Sequence, residues 1–86
     1  MTEQQIQKKI TDKLTGNGWH VVKLIKVNKP GTPDLIACKA ARCVWIEVKK
    51  QGGKLSKLQE FTIKQMRAKG LIVIVAFGVE DIKELI

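Results

Sequence analysis

The chain has 86 residues and carries 16 Lys and Arg against 8 Asp and Glu, which gives a net charge of +8. This length predicts a single domain, and a hydrophobic content of 44% excludes a disordered tail. No apolar run approaches the ~20 residues of a membrane span, and the polar N-terminus lacks the apolar segment of a secretory signal. We therefore expect a cytoplasmic protein without a membrane partner. The positive charge favours nucleic acid as a partner, although a basic surface kept for solubility has the same composition.

The cysteine and histidine content excludes a closed zinc site built by one chain. Two cysteines, Cys38 and Cys43, and one histidine, His20, are too few for four ligands. In a reducing cytoplasm we expect both cysteines to be free thiols and small core residues. A domain this small buries a limited share of its surface, so a second copy of the chain is the expected source of extra stability.

The hydrophobic pattern alternates between helical and strand periodicity. In chain order it predicts a helix over residues 2–15, strands over 19–27, 34–39 and 43–49, a helix over 56–69, a strand over 71–77, and a short terminal helix after Gly78. Thr2 and Gln5 are spaced as a capping box for the first helix, and Ile6, Ile10 and Leu14 form its apolar stripe.

The second half of the chain predicts how the sheet is covered. Leu58, Phe61 and Met66 are expected on the inner face of the second helix. The run 71–77 is apolar throughout, as in a strand that is buried on both faces. The third strand, second helix and fourth strand form a crossover, so these two strands should be parallel. The prediction is an α/β domain of order α-β-β-β-α-β-α with a mixed four-stranded sheet.

Two acidic residues, Asp34 and Glu47, lie in or beside apolar strands, where a carboxylate is costly unless it is paired or bound to a cation. If an even-length loop centred on residues 40–41 joins their strands, Asp34 lies opposite Glu47, with Cβ atoms ~4.5–5.5 Å apart. Lys49 then shares their face of the sheet, and Cys38 faces Cys43. A loop of odd length would move Asp34 to the other face.

Two carboxylates this close repel each other unless a cation neutralises them. Their hard oxygen ligands suit Mg²⁺ or Mn²⁺, which would activate water and stabilise charge on a phosphate. Lys49 would add a second cation that orients the water or holds the phosphate. The alternative interpretation is an ordinary surface pair of Glu47 and Lys49, with Asp34 merely following the turn at Pro33.

Three segments together resemble the VRR-NUC group of the PD-(D/E)XK nuclease superfamily: Gly31-Thr-Pro-Asp34, Trp45-Ile-Glu-Val-Lys49 and Ser56-Lys-Leu-Gln59. The resemblance covers nearly the whole chain and implies a small restriction-endonuclease-like core. It implies that Asp34, Glu47 and the backbone carbonyl of Val48 bind Mg²⁺ or Mn²⁺. It further implies catalytic roles for Lys49, for Gln59 and for Glu3, which would reach the metal through water.

Two of these implied roles have alternatives. Gln59 is also spaced to cap the second helix with Ser56. Glu3 is favourable in a first helical turn through the helix dipole alone.

His20 on a strand is more often structural than a catalytic base.

The resemblance to stand-alone, phage-type minimal domains implies a homodimeric endonuclease that hydrolyses DNA phosphodiester bonds. Its expected substrate is branched DNA such as four-way (Holliday) junctions, in the cytoplasm of a bacterial host if the chain is phage-encoded. The lysines nearest the site are candidate phosphate contacts, although a solvated charge run looks the same. These are Lys29, Lys50, Lys54 and Lys57.

Two other functions fit parts of the sequence. A non-catalytic DNA-binding module explains the positive charge but not the placement of Asp34 and Glu47. A nuclease subunit that is active only within a larger complex explains both. No nucleotide cofactor is expected, because the glycine-rich stretches match no nucleotide-binding loop.

Overall fold

The computed structural model describes residues 1–86 and places one sheet between helices on both of its faces. The elements are α1 (Glu3–Gly16), β1 (His20–Lys23), β2 (Leu35–Lys39), β3 (Arg42–Val48), α2 (Lys57–Ala68), β4 (Val73–Ala76) and a terminal 3₁₀ helix (Val79–Leu85). The strands lie in the order β1-β2-β3-β4. The first three are antiparallel and β4 runs parallel to β3, so the predicted mixed sheet is confirmed.

A two-residue turn at Ala40 and Ala41 joins β2 to β3. Both residues have positive φ, +51° and +64°, as in the hairpin turns whose twist matches that of the flanking strands. The even loop length required by the sequence argument is therefore confirmed, and Leu35 pairs with Ile46 across the hairpin. In this register the residue before Leu35 and the residue after Ile46 point to the same face, which is the face opposite the main core.

The main core lies between the other face of the sheet, α1 and the 3₁₀ helix. The predicted stripe of α1 is buried, and Thr2 and Gln5 form the predicted capping box. Trp19 precedes β1 and is buried, and its indole N–H donates to the Leu85 carbonyl at 2.8 Å. This hydrogen bond links the N-terminal half of the chain to its C-terminus.

Helix α2 covers the second face. Met66 lies on its inner face as predicted, whereas the prediction is wrong for Leu58 and Phe61. Leu58 and Phe61 are 49% and 57% exposed, and only Ile63 of this helix is buried. The inner stripe has helical spacing but is half polar, and its members are Gln59, Thr62, Ile63 and Met66. Two polar residues face inward because they contact other parts of the chain, which an apolar pattern alone does not indicate.

Two strands are shorter than predicted. β1 ends at Lys23, and the Leu24 amide makes the last hydrogen bond across to β2, with the Asp34 carbonyl at 2.8 Å. The chain then leaves the sheet for the loop over 28–33. β4 begins at Val73, and Leu71 and Ile72 before it are partly exposed. The longest helix, α1, has 14 residues, and none is both long and apolar enough to cross a bilayer.

The expectation of free core thiols is wrong. Cys38 and Cys43 are direct partners in the β2–β3 register, with Cα atoms 4.2 Å apart, and they form a disulfide. Cys38 is half-buried and Cys43 is exposed. Both lie on the face away from the main core because they alternate with the buried residues Ala37 and Val44.

Candidate active site

Asp34 is held at the start of β2 and is tied to β3. The buried Pro33 precedes it and restricts the chain there to an extended path. One carboxylate oxygen, Oδ2, accepts a hydrogen bond from the Val48 amide at 2.8 Å. Because Val48 follows Glu47, this hydrogen bond places the Asp34 carboxylate beside the Glu47 side chain, as the register argument predicted.

Glu47 is the one buried charged side chain of the protein, with 1% of its surface exposed. Its pKa is raised from 4.5 to about 8, first by burial and then by a hydrogen bond with Asp34 and the negative charge of Asp34. The Lys49 charge lowers this pKa and the Glu3 charge raises it. The carboxyl oxygen Oε1 has no hydrogen-bond partner, although it is buried.

Gln59 joins the start of α2 to the Glu47 carboxylate. Its Oε1 accepts from the Ser56 amide at 2.9 Å, and its backbone amide donates to the Ser56 hydroxyl at 3.1 Å, which completes a capping box. Its side-chain nitrogen donates to Glu47 Oε2 at 3.4 Å. The Gln59 side chain therefore caps α2 and contacts Glu47 at the same time.

Glu3 and Lys49 lie within electrostatic range of Glu47, since both charges shift its pKa. Glu3 is exposed in the first turn of α1, and Lys49 is half-buried just beyond β3. Lys49 makes no ion pair with either carboxylate, because the one ion pair of the chain joins Lys8 to Asp12. The Lys49 ammonium is thus free to contact a substrate.

The donor set fits a hard divalent cation. A buried carboxylate oxygen without a partner is costly, and two neighbouring carboxylates favour a cation between them. Carboxylate oxygens are the ligands that Mg²⁺ and Mn²⁺ prefer. Nowhere in the chain do three Asp, Glu, His or Cys side chains lie together as a metal site. Backbone carbonyls or water would therefore have to complete the coordination around Asp34 and Glu47.

The four candidate lysines are all exposed. Lys50 and Lys54 lie in the segment between β3 and α2, Lys57 is the first residue of α2, and Lys29 is in the loop before Asp34. His20 is exposed on β1 and pairs with Cys38, outside this group of residues.

Thr62 lies near the candidate site and was not predicted from the sequence. Its hydroxyl donates to the Pro30 carbonyl at 3.3 Å, so it fastens the loop before Asp34 to α2. The signal was its position three residues after Gln59, which puts the two side chains on one helix face. The partner of this hydroxyl could not be predicted, because the sequence does not show where the loop over 28–33 passes relative to α2.

Residues 1–80 match the family of the VRR-NUC domain. The chain belongs to the VRR-NUC family. VRR-NUC domains are nucleases, a class of protein that binds nucleic acid and in general uses divalent metal ions. A solved structure described as a VRR_NUC domain superposes on this chain with a TM-score of 0.85. The two are 24% identical over 99% of this chain and 95% of the other, a level that shows the shared fold alone. No curated protein matches the sequence.

Proposed function

We propose that this VRR-NUC domain is a Mg²⁺- or Mn²⁺-dependent endonuclease that hydrolyses DNA phosphodiester bonds. The observation that supports this most directly is the buried Glu47 carboxylate with its unpartnered Oε1 beside Asp34. A structural role would favour a partner for that oxygen, whereas a metal site requires it to be free. The net charge of +8 supports a polyanionic substrate.

In this proposal Asp34, Glu47 and the Val48 carbonyl hold the metal, and Glu3 reaches it through water. The bound metal supplies a Lewis acid for the phosphoryl group and stabilises the charge that develops there. Asp34 is oriented by the Val48 amide. Gln59 donates to Glu47 Oε2 and so holds that carboxylate in one rotamer. Lys49 would contact a phosphate oxygen or orient the attacking water, because its ammonium is unpaired in the protein.

The finer parts of the proposal concern substrate and assembly. We propose branched DNA such as a four-way junction as the substrate, cut by a homodimer that brings one site to each of two strands. Three exposed apolar side chains in one short segment, Val22, Ile25 and Val27, support an interface between copies. Light scattering of the purified protein should give twice the 9.6 kDa chain mass, and a monomer at all concentrations would exclude the dimer.

The decisive experiment is a cleavage panel in Mn²⁺ over junction, flap, single-stranded and duplex DNA. Glu47→Gln keeps the shape of the buried side chain and removes its charge, so we expect the rate to fall on the order of a hundredfold or more. DNA binding in EDTA should be kept by this variant. Glu84→Gln removes an exposed charge from the 3₁₀ helix and is the matched control.

The same panel separates the competing functions. If the wild-type protein cuts no DNA structure but binds DNA, it is a binding module or a subunit that requires a larger complex. If Glu47→Gln cuts as fast as the wild type, the site described here is not the catalytic one.

A further inference from the structure

A cavity of about 230 Å³ lies between the loop over 28–33, β3 and helix α2. Trp45, Met66 and Leu71 contribute its apolar lining, Gln65 a polar group, and Lys29 and Lys69 two positive charges. It is smaller than the ~300–1,000 Å³ of pockets for drug-sized ligands. A single ring system is therefore the largest group that fits.

The cavity shares its walls with the candidate active site. Trp45 precedes Glu47 by two residues on β3, so both side chains leave the same face of the sheet, with Cα atoms about 7 Å apart. Thr62 lines the cavity and follows Gln59 by about one turn of α2. Thr32 lines it and precedes Asp34 in the loop. The loop, β3 and α2, which position Asp34, Glu47 and Gln59, thus also contribute to the cavity.

Two of the polar side chains that line the cavity, Trp45 and Gln65, have no hydrogen-bond partner in the protein. The indole N–H of the buried Trp19 donates to Leu85, whereas that of the half-buried Trp45 makes no hydrogen bond in the protein. The Gln65 amide is exposed on α2 and is likewise unpaired. An amide is the group that forms paired hydrogen bonds with a base edge, and an aromatic ring is the surface on which unstacked bases pack.

We infer that this cavity binds one unstacked nucleobase of the DNA strand that is cut. The inference rests on the proposed function, since it places the base next to the reacting phosphate. The separation of about 7 Å along β3 is roughly twice the ~3.4 Å rise per nucleotide of one B-DNA strand. The bound base thus lies one or two nucleotides from the scissile bond. Lys29 and Lys69 contact its flanking phosphates, a pair of charges that an apolar protein side chain would not require.

The test compares two oligomers of equal length and charge in EDTA, where no cleavage occurs. One is single-stranded oligothymidine, and the other is the same backbone with every base removed. The wild-type protein should bind oligothymidine roughly fivefold to a hundredfold more tightly, the effect of one base stacked on an aromatic side chain. Tryptophan fluorescence should be quenched by oligothymidine only, because Trp19 is buried and Trp45 lines the cavity.

Two variants locate the effect. Trp45→Leu should bind both oligomers equally, whereas Phe61→Leu, which changes an exposed aromatic residue on α2, should keep the preference for oligothymidine. If Trp45→Leu does not fold, Gln65→Ala tests the same cavity from an exposed position, and it should reduce the preference. Equal binding of the two oligomers by the wild type, or a preference that survives in Trp45→Leu and Gln65→Ala, would overturn the inference.

The test of the cavity can fail independently of the test of the nuclease activity. A base preference without cleavage in Mn²⁺ would leave the cavity assigned and reject the nuclease activity. Cleavage that depends on Glu47 without a base preference would leave the activity in place and reject the cavity.

Discussion

Glu47 holds a proton at neutral pH in the absence of metal. Its ordinary pKa of 4.5 is raised to about 8, first by burial and then by Asp34. Between these two values the folded chain keeps a proton that the unfolded chain releases. The protonated carboxyl thus stabilises the fold fully below pH 4.5, and this contribution is lost as pH rises through about 8.

We therefore predict that the free energy of unfolding in EDTA falls as pH rises from 5 to 8. The slope from this one group is at most about 1.4 kcal/mol per pH unit. Glu47→Gln has no proton to lose, so its urea midpoint should change less over the same range.

Metal binding requires the ionised carboxylate, so the affinity for Mn²⁺ should rise between pH 5 and 8.

The matched control for the pH series is Glu84→Gln, which should keep the wild-type slope. Identical slopes for the wild type and Glu47→Gln would show that Glu47 does not exchange its proton in this range.

Gln59 shows how one side chain connects helix capping with the site. An amide has one acceptor oxygen and one donor nitrogen. Because the oxygen accepts from the Ser56 amide, the nitrogen points to Glu47. A carboxylate at this position would still cap the helix, but it has no N–H to donate to Glu47. Glutamine therefore makes both contacts, whereas glutamate would make only the cap.

Among the larger elements, the loop over 28–33 is fastened to α2 by a close backbone approach. A Cβ atom at Gly31 would lie 2.7 Å from the Thr62 hydroxyl and 3.0 Å from the Leu58 carbonyl. Gly31 also has a φ of +84°, which side chains rarely adopt. The loop leads directly to Asp34, so the packing of the loop against α2 helps to set the position of the Asp34 carboxylate.

We predict that Gly31→Ala destabilises the protein more than Gly70→Ala does. Gly70 has nearly the same φ, +86°, but open space around it, so its substitution reports the backbone cost alone, about 1–2 kcal/mol. Gly31→Ala should add about 1–3 kcal/mol for overpacking. Urea unfolding measures both, and calorimetry should show weaker Mn²⁺ binding for Gly31→Ala only. Equal losses in the two variants would mean that the loop moves freely away from α2.

The sequence predicted the register of the hairpin because side chains in a strand alternate with a period of two. Only the parity of the loop was needed to bring Asp34 and Glu47 to one face. Family resemblance, not the pattern, directed attention to Glu3 and to Gln59 as a site residue, since each is also explained by helix chemistry alone. In the structure Gln59 donates a hydrogen bond to Glu47, and the charge of Glu3 raises the pKa of Glu47.

The pattern failed where polar residues face inward. The inner stripe of α2 includes Gln59 and Thr62, whose partners lie on β3 and in the loop, so apolar periodicity selected Leu58 and Phe61 instead. The free thiols were wrongly predicted because a reducing compartment was assumed. The even-loop register predicted that Cys38 faces Cys43, and this pairing is confirmed, on the face away from the main core.

For the molecule as a whole, the net charge of +8 is available to a polyanion. Only one lysine is neutralised within the protein, because the single ion pair joins Lys8 to Asp12 at 2.7 Å. The negative charge of Asp34, joined by that of Glu47 once Glu47 loses its proton, opposes phosphate until a cation neutralises it. DNA affinity in Ca²⁺ should therefore exceed that in EDTA, and the difference should shrink in Glu47→Gln.

The salt dependence of DNA binding in EDTA separates lysines that contact phosphate from those that only add charge. The logarithm of the binding constant should fall linearly with the logarithm of salt concentration, by about 0.7–0.9 per neutralised phosphate. Lys54→Ala removes a candidate contact beside the site, so the slope should decrease by about this amount. Lys8→Ala removes the same formal charge from the helix on the other face of the sheet, where Asp12 already pairs with it, and should leave the slope unchanged. If both variants change the slope equally, binding depends on the total charge of the domain, and Lys54 beside the candidate site makes no specific contact with phosphate.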